Sequence, residues 1–449
     1  MTNRHTDPAL AGEGTVRPDY IPAANYLSRE FAALEAKHLW PRTWQMACRE
    51  EEIPTVGSFF TYDILDDSIS IVRIAPDEIR AYHNSCPHRG RRITEGCGKS
   101  ARLHCRFHGW QWTLDGQNLK VVDRDDWGDK LTADDVNLTS VKVGRWGGWV
   151  YINMDPDCES LEEALSPAKA LLDPFVMEGM RYHWRKSTIL PCNWKVALEA
   201  FSEGYHVQTT HPQMLQYFDD VTTSYAHGRH GMFGYWDSAP TGLRSPRLGG
   251  PRDGEDNRTG LLAYMEETVV TLNAVMAEPG IAAAKRLVER VPAGTDPWTV
   301  LGKFNEYMQE VLIERGIECP EISNEAIMAA GTDWHLFPNQ VILQSPIGVL
   351  GYRARPNGDD PDSCRWDVYS LMRFPAGEVP TTEWQWSDDL KDEKFWGKIL
   401  VQDYQNMKEV QMGMKSRGFK GARPNPKQEV PVANFHRALC EFIRDGQAG

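Results

Sequence analysis

The spacing of apolar positions changes along the chain, and the change outlines the elements. Over residues 28–40, Phe31, Leu34 and Leu39 fall on one side of a helix, with Ser28 placed to cap it and Pro41 to stop it. Alternation with a period of two follows. Residues 57–65 and 68–74 read as strands about an Asp66-Asp67 turn, residues 78–84 lead into Cys86, and residues 141–152, with Gly147-Gly148, close a small β unit. Asp155-Pro156-Asp157 marks a boundary. Beyond it, residues 160–172, 193–206 and 261–290 have helical spacing, and residues 244–258, rich in Gly, Pro and charge, read as a surface loop. Residues 334–349 and 365–374 carry short β runs, and residues 395–416 predict a final helix. The fold class expected is α+β, a small all-β domain followed by a larger mixed domain.

Composition narrows the functions open to such a chain. At 449 residues it exceeds one ordinary domain, and 41% hydrophobic with 25% charged residues is a globular balance. A net charge of −14 argues against nucleic acid or an anionic membrane surface as partner. No apolar run is long enough to span a membrane, and the polar first 19 residues lack a secretory apolar region, so a cytoplasmic location is expected. Nine cysteines are too few for a disulfide scaffold. Six stand far apart, but Cys86, Cys97 and Cys105 share a histidine-rich stretch.

Two motifs in that stretch carry chemistry: Cys86-Pro87-His88 and, after sixteen intervening residues, Cys105-Arg106-Phe107-His108. Each offers one thiolate and one imidazole. A Rieske [2Fe–2S] centre needs this division, because two Cys hold one iron and two His the other. A zinc finger more often takes both Cys from one loop. His88-Arg89-Gly90 and His108-Gly109-Trp110 supply tight turns beside each histidine, while Cys97 reads as a free thiol and His104 as a surface or packing residue.

These motifs resemble those of the Rieske non-heme iron oxygenases, the catalytic α subunits of ring-hydroxylating oxygenases. Neither loop has a second Cys, which favours the oxygenase type over the respiratory type. The resemblance implies a Rieske domain over residues 45–155, an N-terminal helical segment over 1–44 that packs on the catalytic domain, and a catalytic domain over 156–449 with a helix-grip fold, an antiparallel sheet around a long helix.

A second iron site is expected in the larger domain. Trp194, Ala197, Leu198 and Phe201 form an apolar helical stripe, and Glu199, Glu203 and His206 share the opposite side. On a continuous helix His206 and His211 would point about 140° apart, too divergent for one ion, so the helix must bend or end; Pro212 disfavours α conformation at His211. A 2-His-1-carboxylate site needs an acid as well. The resemblance places it on a late helix, here at Asp403, in preference to Asp388, Asp389, Asp392 or Glu409.

The resemblance also implies how the sites are coupled. Glu203, where the family usually has Asp, would bridge His206 to His108 of a neighbouring copy within a homotrimer, with a separate β subunit possible. Electrons would come from NAD(P)H through a separate reductase or ferredoxin, since the chain lacks a G-x-G-x-x-G fingerprint and ferredoxin cysteine spacing. Arg89, Arg91 and Arg92 offer a docking patch or a solvated loop.

The activity implied is O₂ activation at mononuclear Fe(II) to hydroxylate an aromatic or other apolar substrate, as in aromatic hydrocarbon catabolism. Glu at position 203 resembles the branch that oxidises carnitine and other quaternary ammonium compounds, which makes a monooxygenase acting on an N-methyl group the alternative. A further alternative, of another class, is a zinc-stabilised carrier of a hydrophobic ligand, with no second metal site. Tyr217, Phe218, Trp236, Trp334, His335 and Phe337 are pocket or core candidates, and His227 and His230 read as surface-loop residues.

Overall fold

The computed structural model describes residues 16–448, so the first fifteen residues of the expected 1–44 segment and Gly449 lie outside the described residues. The chain forms two compact units: Glu35–Ala164, and the chain up to Leu34 together with the chain from Leu165 onward. The division thus falls inside helix α1 (Arg29–His38) and about seven residues beyond Asp155-Pro156-Asp157. Ser28 caps α1, its Oγ accepting the Phe31 N–H at 3.1 Å.

The smaller unit is built on β1 (Gln45–Arg49), β2 (Ser58–Ile64), β3 (Asp67–Ala75), β4 (Glu78–His83), β5 (Cys97–Lys99), β6 (Leu103–His104), β7 (Gln111–Trp112), β8 (Asn118–Lys120), β9 (Ser140–Trp146) and β10 (Trp149–Asn153). The seven-stranded sheet runs β1-β10-β9-β4-β3-β2-β5, and β6-β7-β8 form a second, three-stranded sheet. Gly147 and Gly148 both take positive φ, 58° and 80°, giving the two-residue turn between β9 and β10. Val72, Tyr82, Ile93, Leu103, Trp110 and Trp112 make a core that includes Cys86 and Cys105.

The larger unit is organised by an eight-stranded sheet of β11 (Arg181–Leu190), β12 (Thr223–His227), β13 (His230–Gly234), β14 (Asp333–Leu336), β15 (Gln340–Gln344), β16 (Gly348–Asn357), β17 (Asp360–Met372) and β18 (Gln385–Trp386), in the order β12-β13-β14-β15-β16-β17-β11-β18. All pairings are antiparallel except the last. One face is covered by α2 (Trp194–Glu199), where Phe201, just beyond the helix, stacks on Tyr352 and Trp366 with ring centroids 4.1 and 5.1 Å apart.

Three expectations change. The helix expected over residues 193–206 ends at Glu199; the chain turns through Ala200–Tyr205 before a short α3 (Val207–Thr210), with Gly204 set so close to Thr222 that a Cβ would meet it at 2.7 Å. The stretch 261–290 is two helices, α4 (Asn257–Thr271) and α5 (Ala277–Arg290), and with α6 (Pro297–Glu314) they bury Leu261, Met265, Leu287, Val300, Phe304 and Met308 among themselves. The helix over 395–416 appears as α7 (Lys398–Met414), but a further helix, α8 (Val430–Ala448), follows it.

Candidate metal centres

The two cluster loops have the same backbone design. In the first, the Cys86 N–H bonds to the Arg91 carbonyl at 2.9 Å and the Gly90 N–H returns to Cys86 O at 2.8 Å. In the second, the Cys105 N–H bonds to Trp110 O at 2.8 Å and the Gly109 N–H to Cys105 O at 3.0 Å. Gly90 and Gly109 each sit at φ 75°, a conformation that excludes most side chains and allows each turn to double back. Both Cys are buried, and the His88 and His108 rings lie 4.5 Å apart.

The donor chemistry fits a cluster. Burial raises the Cys86 thiol to about 11, and the neighbouring Cys105 adds to the shift, as expected of two sulfurs that need cations between them. His88 Nδ1 is buried with no hydrogen-bond partner among the described residues, leaving its lone pair free for a metal. Trp110 stacks on the same ring at 5.2 Å and fixes it. Among the described residues, ligand atoms of three or more His, Cys, Asp or Glu side chains come within 4.8 Å of each other at one place, and it is not here. Of the nearby arginines, Arg91 pairs with Glu95, Arg92 with Asp63, and Arg89 lies over Phe107. Cys97 and His104 are exposed, away from this design.

That one place is His206, His211 and Asp403. The helix that carries Asp403 buries Leu400, Asp403, Tyr404, Met407, Gln411 and Met414, an i, i+3/i+4 stripe, so its acid faces inward. Asp388 bonds the Trp386 indole and Asp392 caps a helix, so these competing acids serve local structure. His211 Nε2 lies 3.0 Å and His206 Nε2 3.6 Å from Asp403 Oδ1. The turn after α2 makes this possible, because His206 precedes α3 and His211 ends it at φ −122°, ψ 53°.

Each imidazole is held by its other nitrogen. His206 Nδ1 meets Glu203 Oε1 at 2.7 Å, while Glu203 Oε2 accepts the His206 backbone N–H at 3.1 Å. His211 Nδ1 meets Gln402 Oε1 at 2.9 Å, and Gln402 is braced by Gln213 at 2.8 Å. Each oxygen is an acceptor that draws the ring proton to Nδ1, so both rings present an Nε2 lone pair to one point. Burial opposes charge on His206, but Glu203 and Asp403 outweigh it and raise its pKa to about 9, so the site favours a cation. Three donors with open positions suit a mononuclear iron. Beside them a cavity of about 360 Å³ is lined by Glu199, Glu203, Arg423 and Glu429.

The other candidates disperse. Trp334 is buried and bonds Ala330 O, Trp236 bonds Met328 O, and Phe337 stacks on Phe442. His335 packs on Phe435, and burial lowers its pKa to about 3. Tyr217 and Phe218 both pack on Tyr264. His230 is not a surface residue: it is fully buried and its Nδ1 accepts the Phe337 N–H at 3.1 Å, because it sits inside β13 rather than in the loop before it. Sequence reasoning missed Gln402, although it directly precedes Asp403.

Residues 43–126 match the Rieske [2Fe–2S] domain, and residues 177–445 match the ring hydroxylating alpha subunit (catalytic domain). The chain is 30% identical over 215 residues to the carnitine monooxygenase oxygenase subunit of Escherichia coli (strain K12), covering 47% of this chain and 56% of that one. It is 28% identical over 283 residues to the glycine betaine monooxygenase oxygenase subunit of Chromohalobacter salexigens, covering 61% and 60%. The matches thus span little more than half the length of these relatives. A crystal structure of a quaternary ammonium Rieske monooxygenase in complex with L-carnitine superposes with a TM-score of 0.63 at 18% identity, covering 96% of this chain and 98% of that one, which shows the shared fold. A zinc-stabilised carrier with no second metal site is set aside by these matches and by the convergence at Asp403. With a Rieske domain ahead of a catalytic domain built for mononuclear iron, the chain belongs to the ring-hydroxylating oxygenase α-subunit family.

Proposed function

We propose that this protein is the oxygenase component of a monooxygenase that oxidises an N-methyl group of a quaternary ammonium substrate. The observation that carries the reading is Glu203: it stands where the family usually has Asp and binds His206 through both carboxylate oxygens, and the relatives named above act on carnitine and glycine betaine. Arene hydroxylation would use the same metal chemistry, but nothing specific to this chain favours it over the cationic substrate.

In this reading Cys86, His88, Cys105 and His108 hold the cluster, and His206, His211 and Asp403 hold the iron. When bound, the cluster and iron supply electron storage and O₂ activation. Glu203 and Gln402 fix the two imidazoles, and Glu203 links His206 to His108 of a neighbouring copy in a homotrimer. Two electrons arrive from NAD(P)H through a separate reductase. With two protons and the two electrons of the substrate C–H bond they reduce O₂, one oxygen atom entering the N-methyl carbon and the other leaving as water.

The test is an anaerobic single turnover of the reduced, iron-replete protein, mixed with O₂ and with carnitine, glycine betaine or a panel of arenes, and read by mass spectrometry. A hydroxylated or demethylated amine is expected. An arene diol with unchanged amines would overturn the substrate assignment.

A further inference from the structure

Glu199 ends α2, four residues before Glu203, and is not among the metal ligands. Its side chain is 14% exposed, and it lines the same cavity as Glu203, His206 and Asp403. The carbonyl end of a helix is an unfavourable place for a negative side chain, and burial adds to the cost.

Three residues from distant parts of the chain hold the carboxylate there. The Tyr26 hydroxyl donates to Oε2 at 3.0 Å, and His436 Nε2 meets Oε1 at 2.6 Å. Asn25 Nδ2 lies 3.1 Å from His436 Nδ1 and 3.7 Å from Cys440 Sγ, so the amide turns its donors to both acceptors. A donor at Nδ1 leaves the imidazole proton on Nε2, which gives it to Glu199. Asn25, Tyr26 and His436 are each 1% exposed or less. The Tyr26 carbonyl also accepts the Asn193 side-chain N–H at 2.8 Å, so Tyr26 ties down both ends of α2.

One donor on each oxygen favours the charged form of an acid. Both donors are neutral, and among the described residues no Lys or Arg pairs with Glu199. Arg423, on the same cavity wall, lies over the Tyr20 ring at 4.5 Å. Burial raises Glu429, also on that wall, to about 7, and Glu203 and Glu199 add to the shift, as expected of a cavity that carries negative charge.

We propose that Glu199 is a fixed negative charge that favours the oxidised state of the mononuclear iron, with Tyr26, His436 and Asn25 as the residues that position it. Ferric iron carries one more positive charge than ferrous iron, so an anion in a poorly screened site stabilises it the more. The electron that the iron gives to O₂ is then easier to release. The inference rests on iron at His206, His211 and Asp403, and it is independent of the substrate.

The test is an EPR-monitored redox titration of the holoenzyme, without O₂ or substrate, that follows the ferric signal of the mononuclear iron. Glu199→Gln keeps the size; its amide oxygen still accepts from His436 while its NH₂ faces the Tyr26 oxygen. It should shift the Fe(III)/Fe(II) equilibrium about tenfold toward Fe(II), a rise of about 59 mV in a one-electron potential. Glu199→Asp keeps the charge and should stay within about twofold of the wild type. An unchanged equilibrium in Glu199→Gln would overturn the proposal. So would an equal shift in Glu199→Asp, because lost packing rather than lost charge would then be the cause. Should Glu199→Gln not fold, Tyr26→Phe decides. It removes a donor that partly offsets the carboxylate charge, so the equilibrium should move the opposite way, toward Fe(III), by about twofold; no shift, or one toward Fe(II), would overturn the proposal. Iron content separates the two readings. A wild type with cluster iron and no third iron sinks the metal assignment and the inference with it, whereas about three irons per chain with an equilibrium indifferent to Glu199 sinks the inference alone.

Discussion

Each cluster loop keeps its Cys and His within one tight turn, closed by the same pair of backbone hydrogen bonds and the same glycine at φ 75°. The proposed iron site would draw its ligands from the break after α2, the end of α3 and the inner stripe of α7, which meet only through the sheet and helices between. One centre is therefore local and repeated, the other global and assembled. A local centre tolerates change elsewhere in the chain; an assembled one depends on residues that never touch the metal, such as Gln402.

The sharpest way to break this comparison is His206→Ala. Turnover should fall below detection, since two remaining donors no longer hold the iron, while the cluster keeps its optical and EPR spectra. Loss of the cluster signal would show that the two centres are not separate.

Asp367→Asn tests the scaffold of the assembled centre. It strands two buried arginines and should cost about 3–5 kcal/mol in thermal unfolding, with cluster content in the folded fraction unchanged. The pH dependence follows from the sign of the shift. Burial pushes the Asp367 carboxyl up, but Arg353 and Arg355 prevail and hold it at about 2. A depressed folded pKa stabilises the protein above the ordinary carboxylate value of 3.8 and loses that stability as pH falls through about 2. The wild type should therefore show an acid unfolding step that the variant lacks.

Glu203→Gln should retain both metals yet slow product formation about 10–100-fold, because the residue orients His206 without binding iron itself. Single-turnover kinetics with unchanged rates would remove Glu203 from the coupling. The smallest effect is expected at Gln402→Leu, where His211 loses its partner: Fe(II) should bind about tenfold more weakly in a chelator competition, with the cluster unaffected.

Much of this was legible in the sequence, for identifiable reasons. Strands β2, β3 and β4 followed from alternation, α1 from Ser28 and Pro41, and the cluster loops from their two Cys-and-His turns. The prediction that the helix must break between His206 and His211 had the right logic, since one face cannot present both rings. It placed the break too late. The helix already ends at Glu199, and Gly204 lies so close to Thr222 that a Cβ would meet it at 2.7 Å, a closeness between separate parts of the chain that periodicity cannot contain. The long 261–290 stretch read as one helix because its gap, with Asn273 and Val275 at positive φ, carries no Gly or Pro.

By itself the sequence determined the two Cys-and-His loop motifs and the order of a Rieske domain before a catalytic domain, because short loop motifs are properties of neighbouring residues, while the choice of Asp403 rested on the family resemblance. Only the tertiary structure decided that His206 and His211 turn their Nε2 atoms toward Asp403, that Gln402 meets His211 Nδ1, and that Asp333 Oδ1 is buried with no hydrogen-bond partner among the described residues while Asp367 is paired with Arg353 and Arg355. Those outcomes depend on what burial places opposite a side chain, and in a β-sheet the opposite residue is fixed by register between strands far apart in the chain.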